Sequence, residues 1–336
     1  MYRYIVRRLF MMLPVLLGIS FVIFTMMYFT PGDPARMLLG ERAEESVVEE
    51  LREEMGLNEP FLVRYGKYIK GIVTEGDLGI SYSTKRPVLE EILDRFPTTL
   101  LLATLSITLA LIIGIVAGVI AATKQYSIFD NLATGLSLLG VSMPTFWQGL
   151  MLIIVFAVWL RVLPASGFSG PRYWVLPVLA IGPSTASTIM RMTRSSMLEV
   201  LRQDYIRTAR AKGQTERVVI VKHALKNALI PIITVAGLSF GGLLGGAVMA
   251  ETIFSIPGLG KMMVDAINAR NYPVVQGGVL FVAIVVSLVN LVVDLLYAFI
   301  DPRIKSQYKA QKRRKENTRT VSREAVQTAN QETDRK

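Results

Sequence analysis

The 336-residue sequence contains no cysteine and only one histidine, His223. Without cysteine, the chain can form no disulfide bond or thiolate metal site and can use no cysteine nucleophile. The phosphate-binding pattern G-x-x-x-x-G-K-[ST] is also missing, since the nearest fragment, at 257–261, lacks the first glycine and the hydroxyl residue. Any nucleotide that supplies energy must therefore bind to another chain. We interpret His223 as an ordinary residue near the membrane surface; a pH sensor or a ligand is the alternative.

Charged residues are missing from six long stretches: Leu9–Gly32, Phe96–Thr123, Asn131–Leu160, Tyr173–Met190, Asn227–Ala250 and Asn271–Val293. A helix needs roughly 20 apolar residues to cross the hydrocarbon core. Buried helices of a large soluble protein are the alternative, but soluble chains rarely keep six such stretches free of charge. The first stretch is too long for a signal peptide and lacks a cleavage site, so we expect an uncleaved anchor. The sequence predicts an all-α integral membrane protein with six transmembrane helices in contact with lipid.

The formal net charge of +11 is concentrated on one side of these predicted spans. Lysine and arginine are enriched in both termini and in the segments 123–130 and 191–228, which places these regions in the cytoplasm and the protein in the inner (plasma) membrane. Membrane topology explains the positive charge without nucleic acid.

This topology divides the chain into four regions. They are a cytoplasmic N-terminus with the first span (1–32), an extracytoplasmic helical segment (33–97), five further spans (98–300) and a disordered basic cytoplasmic tail (301–336).

The segment 33–97 is too small for an independent catalytic domain, and we interpret it as a cap over the spans or a docking surface. Apolar residues on one face predict a helix over Arg42–Met55, ended by Gly56. A second helix is predicted from Phe61 to about Val73, before a turn at Gly76–Gly79.

Proline and glycine mark two places inside the predicted spans. Pro144, after Ser142, predicts a kink in the third span, with Gly140–Gly149 facing protein or a transport pathway instead of lipid. In the fifth span, the G-x-x-x-G spacings within 237–245 favour close helix packing. They indicate either general packing or a specific subunit interface.

A short charged segment, Asp204-Tyr-Ile-Arg-Thr-Ala-Arg-Ala-Lys-Gly213, lies between the fourth and fifth spans. Asp204 is a candidate N-cap, Gly213 a left-handed stop, and a new helix begins with Glu216 in its first turn. The predicted helix is about 12 Å long, is too polar to insert into lipid, and suits a cleft on a soluble partner. A solvated loop without function is the alternative.

The segment, followed by His223-Ala-Leu-Lys-Asn-Ala-Leu-Ile-Pro231, resembles the EAA loop of permeases of binding-protein-dependent ABC importers. Aligned on Gly213, the Glu-Ala-Ala triplet falls on Arg207, Thr208 and Ala209, a variation typical of the peptide-permease branch.

Further motifs resemble the B-type subunit of dipeptide and oligopeptide permeases, in the same order along nearly the whole chain. They begin at Pro31, Gly76, Arg95, Ser142, Arg191, Glu251 and Tyr272. One departure is the short loop 161–173, where some dipeptide permeases carry a long insertion, and this leaves the cargo open.

The resemblance implies the type I ABC importer permease fold and a role without enzymatic activity of its own. It implies a second homologous permease subunit, two ATPase subunits that bind ATP and magnesium, and an extracytoplasmic substrate-binding protein. No cofactor is expected in this chain. The residues that would couple it to the ATPase are Asp204, Tyr205, Ile206, Arg207, Thr208, Ala209, Arg210 and Gly213, with Asp204 and Gly213 acting as structural caps.

Two acids in or beside the spans are candidates for a role in the pathway or its gating, together with Ser142 and Pro144. Asp294 lies within an apolar stretch near its cytoplasmic end, where it either serves transport or pairs with a basic residue. Glu251 ends the fifth span and either lines the mouth of the pathway or anchors the following loop.

Di- or oligopeptides are the expected cargo, and oligosaccharides or nickel chelates are the alternatives within the same importer class. An ion-driven secondary transporter would need several intramembrane carboxylates or broken half-helices. A membrane-embedded enzyme would need a catalytic cluster, and a channel would need a filter or a ring of charge. The sequence supports each of these three alternatives less well than a permease of an ABC importer.

Overall fold

The computed structural model describes residues 2–40 and 42–300. Regular structure within these ranges is helical apart from one isolated bridge between Ile80 and Pro87. The chain divides into two compact units, Met1–Leu291 and Val292–Lys336, and the contacts described below lie within the first. The predicted disordered tail, 301–336, lies outside the described residues.

The helices are, in chain order, α1 Tyr2–Phe29, α2 Pro34–Leu39, α3 Glu45–Glu54, α4 Phe61–Glu75, α5 Val88–Thr123, α6 Ile128–Ser142, α7 Thr145–Leu152, α8 Pro171–Leu201, α9 Asp204–Ala211, α10 Glu216–Val218, α11 Lys226–Gly246, α12 Val248–Ile253, α13 Leu259–Asn268 and α14 Tyr272–Ile300. Two stretches are π-helical. Ile153–Trp159 continues α7, and Val219–Leu225 joins α10 to α11.

Six segments are long and apolar enough to cross a membrane when the bent pair formed by α6 and α7 is counted as one span. The other five contain α1, α5, α8, α11 and α14. This confirms the predicted number and positions of the spans, and the protein is an all-α, multi-pass membrane protein.

The predicted kink at Pro144 is present, and it is a sharp bend that divides the span into two helices. The helices on either side, Ile128–Ser142 and Thr145–Trp159, enclose a bend of 99°. Met143 has an extended backbone (φ −80°, ψ 124°) because a following proline disfavours the helical conformation, and Pro144 becomes the N-cap of α7.

The spans α5 and α8 approach each other closely. A Cβ added at Gly118 would lie 2.5 Å from the Cβ of Thr193, and one at Gly114 would lie 2.8 Å from the Cβ of Ile189. Only glycine permits this separation. Gly114 and Gly118 form a G-x-x-x-G pair, so the spacing that predicts close packing in the fifth span also occurs in the second.

The glycines of the fifth span pack less tightly. An added Cβ at Gly241 or Gly245 would meet side chains of α14 at ordinary van der Waals distances, 3.6 Å from Val286 and 3.4 Å from Val282. At Gly242 it would meet nothing within 4 Å. Within the described residues, two of these glycines therefore serve packing inside the chain.

Helices α3 and α4 confirm the two helices predicted in the segment 33–97, with slightly different ends. Gly56, at φ +64°, ends α3 in a Schellman motif, with its N–H on the carbonyl of Glu53 and the Leu57 N–H on the carbonyl of Arg52. The predicted boundary at 97/98 falls inside α5, which continues without a break from the segment into the second span.

Aromatic side chains join α4 to α1. The ring of Phe24 lies 5.4 Å from the rings of both Phe61 and Tyr65, in edge-to-face arrangements, and Tyr65 also exchanges a hydrogen bond of 3.0 Å with Ser20. Many other apolar side chains of α1 are exposed, such as those of Phe10 and Phe29, which suits a helix in contact with lipid or another subunit.

Candidate functional site

The charged segment forms one helix of eight residues, α9, which confirms the predicted length and position. Its N-cap is Gln203, in an extended conformation (φ −73°, ψ 148°), and this residue makes no side-chain capping bond. The prediction that Asp204 is the N-cap is wrong. Asp204 is the first helical residue, where its carboxylate still lies at the positive end of the helix dipole.

Gly213 ends this segment as predicted, in the left-handed conformation at φ +77°. Its N–H donates to the carbonyl of Arg210 over 2.9 Å, and the N–H of Gln214 donates to the carbonyl of Ala209 over 3.3 Å. This pair of bonds is a Schellman motif. A side chain at Gly213 would meet no atom within 4 Å, so backbone conformation and not space requires glycine here.

The inner face of α9 is apolar and packs within the chain. Ile206 is fully buried, and Ala209 is nearly so. Both belong to a core cluster that also contains Met197 of α8 and Val219 and Ala224 of the π-helical stretch below α11. Ile206 is thus unavailable to a partner in this conformation, and its position fits anchoring of α9 better than the predicted partner contact.

An ion pair crosses the turn that follows α9. The guanidinium of Arg210 donates to both carboxylate oxygens of Glu216, over 2.6 and 3.3 Å. This hydrogen-bonded carboxylate raises the pKa of Arg210 above its usual value. Glu216 is the first residue of α10, as predicted. The pair links α9 to the start of the continuous helix that leads into α11.

Two more polar contacts join the same elements. The Nδ2 of Asn227, in the first turn of α11, donates to the hydroxyl of Tyr205 over 3.1 Å. The Nε2 of His223 lies 3.2 Å from the side-chain oxygen of Gln214. His223 therefore contacts the turn that follows α9.

The outer face of α9 is charged and open. The side chain of Asp204 is 98% exposed and that of Arg207 is 76% exposed, and the two lie 3.9 Å apart. Thr208, beside them, is also exposed, and its hydroxyl donates to the carbonyl of Asp204 over 3.0 Å. Of the predicted coupling residues, these three form the exposed outer face of α9.

The residues predicted for the pathway lie on different elements of the chain. Ser142 and Pro144 lie at the bend between α6 and α7 and are exposed. Nearby, Gly140 and Gly149 are buried against α8 and Phe254, in agreement with the expectation that these positions face protein. Asp294 is partly buried and lies in the last part of α14, within the second unit.

Glu251 is fully buried and acts on the loop that follows it. Its carboxylate accepts hydrogen bonds from the hydroxyl of Thr99 over 2.7 Å and from the backbone N–H of Lys261 over 2.9 Å. The Thr99 hydroxyl oxygen in turn accepts from the N–H of Leu259 over 2.8 Å. Two free N–H groups in the first turn of α13 are thereby satisfied from other elements. This geometry favours the anchoring interpretation of Glu251.

The position of the Glu251 carboxylate also explains why glycine occupies two positions in the motif that begins at Glu251. A Cβ at Gly258 would lie 2.3 Å from the carboxyl carbon, and one at Gly260 would lie 3.0 Å from a carboxylate oxygen. Any larger residue would displace the acid from its hydrogen bonds.

One buried ion pair was not predicted from the sequence. Asp130, at the start of α6, is 2% exposed, and it accepts two bonds from the Arg194 guanidinium of α8, over 2.6 and 2.8 Å. It also accepts from the backbone N–H of Tyr126 over 2.9 Å. The only signal in the sequence was Arg194 itself, which we expect at the membrane surface.

Residues 114–306 match the model of the family described as the binding-protein-dependent transport system inner membrane component. Residues 1–103 match the model of the corresponding N-terminal region. The chain belongs to this family. It is therefore a permease component of a transport system that works with a binding protein, and the role without enzymatic activity is confirmed.

Curated relatives agree with this assignment over nearly their whole length. The permease is 47% identical to the dipeptide transport system permease protein DppB of Alkalihalophilus pseudofirmus, over 91% of this chain and 100% of that protein. It is 44% identical to DppB of Escherichia coli, over 91% and 99%. It is 42% identical to the glutathione transport system permease protein GsiC of Escherichia coli, over 91% and 99%.

Solved structures support the fold. The permease resembles a chain of the MetNI methionine ABC transporter in an inward-facing conformation, with a TM-score of 0.52 and 19% identity, over 63% of this chain and 96% of that chain. The predicted type I ABC importer permease fold is thus confirmed.

Proposed function

We propose that this permease is one of two homologous membrane subunits of an ATP-driven importer of di- or oligopeptides. The relatives named for dipeptide and glutathione transport support a peptide cargo. The observation that carries the coupling role is α9, which is anchored on its inner face and open and charged on its outer face. An ion-driven transporter would not need such a helix.

In this proposal, the outer face of α9 contacts an ATPase subunit through Asp204, Arg207 and Thr208. The inner face and the polar contacts to Glu216 and Asn227 make α9 move together with the base of α11. The stretch Val219–Leu225 between them is π-helical, and such irregular turns are frequent at functional sites. Closure of the ATP sites would therefore move the fifth span and open or close the pathway.

ATP and magnesium would bind to two partner ATPase subunits, since this chain lacks the phosphate-binding motif. Within 2–40 and 42–300, no group of three or more histidine, aspartate or glutamate side chains could hold a metal ion. Both termini and α9 would lie in the cytoplasm, and an extracytoplasmic binding protein would deliver the cargo to the opposite face.

The coupling role is tested by reversing the charge of the open face. In the complex reconstituted into liposomes, Arg207→Glu should lower transport and partner-stimulated ATP hydrolysis together by at least about tenfold, because reversing a charge at a close contact disturbs its electrostatic complementarity. Lys124→Glu, in the other cytoplasmic loop, is the control. If both variants transport equally well, α9 does not contact the motor through this face.

The cargo is tested on the partner binding protein. Di- and oligopeptides should raise its melting temperature, because ligands that bind only the folded state stabilise it. Oligosaccharides and nickel chelates are the comparison ligands. Stabilisation by sugars alone would show that the peptide assignment is wrong while leaving the coupling role intact.

A further inference from the structure

A cavity of about 520 Å³ lies between the start of α5 and helix α13. Its other walls are the loop at 81–86 and the loop at 255–258. Six charged side chains contribute to its lining: Arg86, Glu91, Asp94, Arg95, Lys261 and Asp265. A volume of this size can hold a small ligand or a few side chains of a partner protein.

The cavity and α9 lie near opposite ends of α5. The C-terminal end of that helix, at Ala122, shares a core cluster with Ile206 of α9. Arg95 lies near the other end, roughly 40 Å away along the helix at 1.5 Å per residue. This distance exceeds the hydrocarbon thickness of about 30 Å. If α9 is cytoplasmic, the cavity opens on the extracytoplasmic side.

Buried polar groups hold two walls of the cavity in place. The side-chain amide of Asn271, which is 4% exposed, accepts from the N–H of Tyr82 over 3.0 Å and donates to the hydroxyl of Ser81 over 2.8 Å. On the other side, Glu251 and Thr99 fix the first turn of α13, as described above. A cavity with fixed walls loses little conformational entropy when it is filled.

The charged side chains of the cavity differ in whether they have an ion-pair or hydrogen-bond partner. Arg86 pairs with Asp94 over 2.9 Å, and Lys261 pairs with Asp265 over 2.8 Å. Glu91 accepts a hydrogen bond from the hydroxyl of Thr84. Arg95 is exposed and has no ion pair or side-chain hydrogen bond within the part of the chain that the structure describes. The cavity therefore presents one unsatisfied cation.

We propose that this cavity is a socket for an acidic loop of the extracytoplasmic binding protein, with a partner carboxylate paired to Arg95. The inference rests on the proposed function, which supplies such a partner. Arginine suits this contact because its planar guanidinium can hold a carboxylate through two parallel hydrogen bonds. A free peptide fits less well, because its ammonium group would find each carboxylate of the cavity already hydrogen-bonded.

The test compares Arg95→Glu with Lys70→Glu in the reconstituted complex. Lys70 is an exposed cation on α4, outside the cavity, so the two variants change the charge of the extracytoplasmic segment equally. Arg95→Glu should raise the concentration of liganded binding protein needed for half-maximal ATPase stimulation by about tenfold or more, with the maximal rate unchanged. Lys70→Glu should raise it by less than about twofold.

Equal half-saturation values for the two variants would overturn the socket. So would a change in the peptide concentration dependence at saturating binding protein, because this would make the cavity a cargo site. If the wild-type complex shows no stimulation by the binding protein, the proposed function itself fails. The two failures are therefore distinguishable.

The absence of native cysteine allows a second, direct test. Arg95→Cys, labelled with a benzophenone maleimide, should form a photo-cross-link to the binding protein, and Lys70→Cys should not. Labelling of Arg95→Cys by a membrane-impermeant maleimide from the outside confirms that the site is accessible from that side. A labelled but uncross-linked site would contradict the proposal.

Discussion

Helices α9 and α13 are both short, and both lie between long apolar helices, yet they are held in opposite ways. The first turn of α13 is fixed by the buried carboxylate of Glu251 and the hydroxyl of Thr99, which come from other elements. The N-cap of α9 makes no such bond, and its polar contacts are exposed. The difference indicates a rigidly held first turn in α13, and it fits the proposal that a partner moves α9.

The largest expected effect is at the rigid end. Glu251→Ala would leave the N–H of Lys261 without a partner and open a cavity beside Thr99, which should cost about 2–4 kcal/mol of stability. The melting temperature of the purified protein in detergent, followed by tryptophan fluorescence, measures this loss. Glu251→Gln keeps the shape and one acceptor, and should lose less. An unchanged melting temperature in Glu251→Ala would remove the basis for calling α13 rigidly held.

A second variant tests the buried ion pair between α6 and α8, the helix that precedes α9. Arg194→Ala leaves the buried carboxylate of Asp130 without its ion-pair partner. Asp130→Ala instead leaves an arginine whose side chain is 28% exposed and can reach water. Arg194→Ala should therefore cost about 2–3 kcal/mol, and Asp130→Ala less.

The double variant should recover part of the loss caused by Arg194→Ala, because no buried charge is then unpaired. A double-mutant cycle on melting free energies measures this coupling. Additive effects would mean that the pair does not join α6 to α8 energetically.

A smaller effect on stability is expected at the end of α9. Gly213→Val places a β-branched residue at φ +77°, which costs about 1–2 kcal/mol locally, although the space around it is free. The Schellman turn should open and α9 should shift. Transport should fall much more than the melting temperature, either through uncoupled ATP hydrolysis or through failed assembly. Unchanged transport would contradict the coupling role.

The smallest effect on stability is expected for Arg210→Ala. Exposed ion pairs contribute about 0–1 kcal/mol, so the melting temperature should hardly change. The number of ATP molecules hydrolysed per peptide transported should rise, because α9 loses a link to the base of α11. Lys212→Ala, which also removes an exposed cation from this segment, is the control. An equal ratio in both variants would show that the ion pair transmits no motion.

The sequence alone was sufficient for local features and for the membrane spans. Charge-free stretches identify the spans because charge in hydrocarbon is costly, and this cost depends on composition alone. The ends of α9 and α3 at Gly213 and Gly56 followed from the left-handed conformation that glycine adopts easily. The family resemblance rested on motifs in a fixed order, and the family match confirmed it.

Tertiary structure decided which face each residue presents and which distant residues meet. The sequence did not distinguish Ile206, which is buried, from Arg207, which is exposed, because a helix of eight residues can be placed on a bundle in several rotations. Close packing at Gly118 and the contact of Glu251 with Thr99 join residues far apart in the chain, and no local periodicity encodes such pairs. Local chemistry thus determined the elements, and the packing of α5 against its neighbours decided which of their polar groups became anchors and which stayed open to partners.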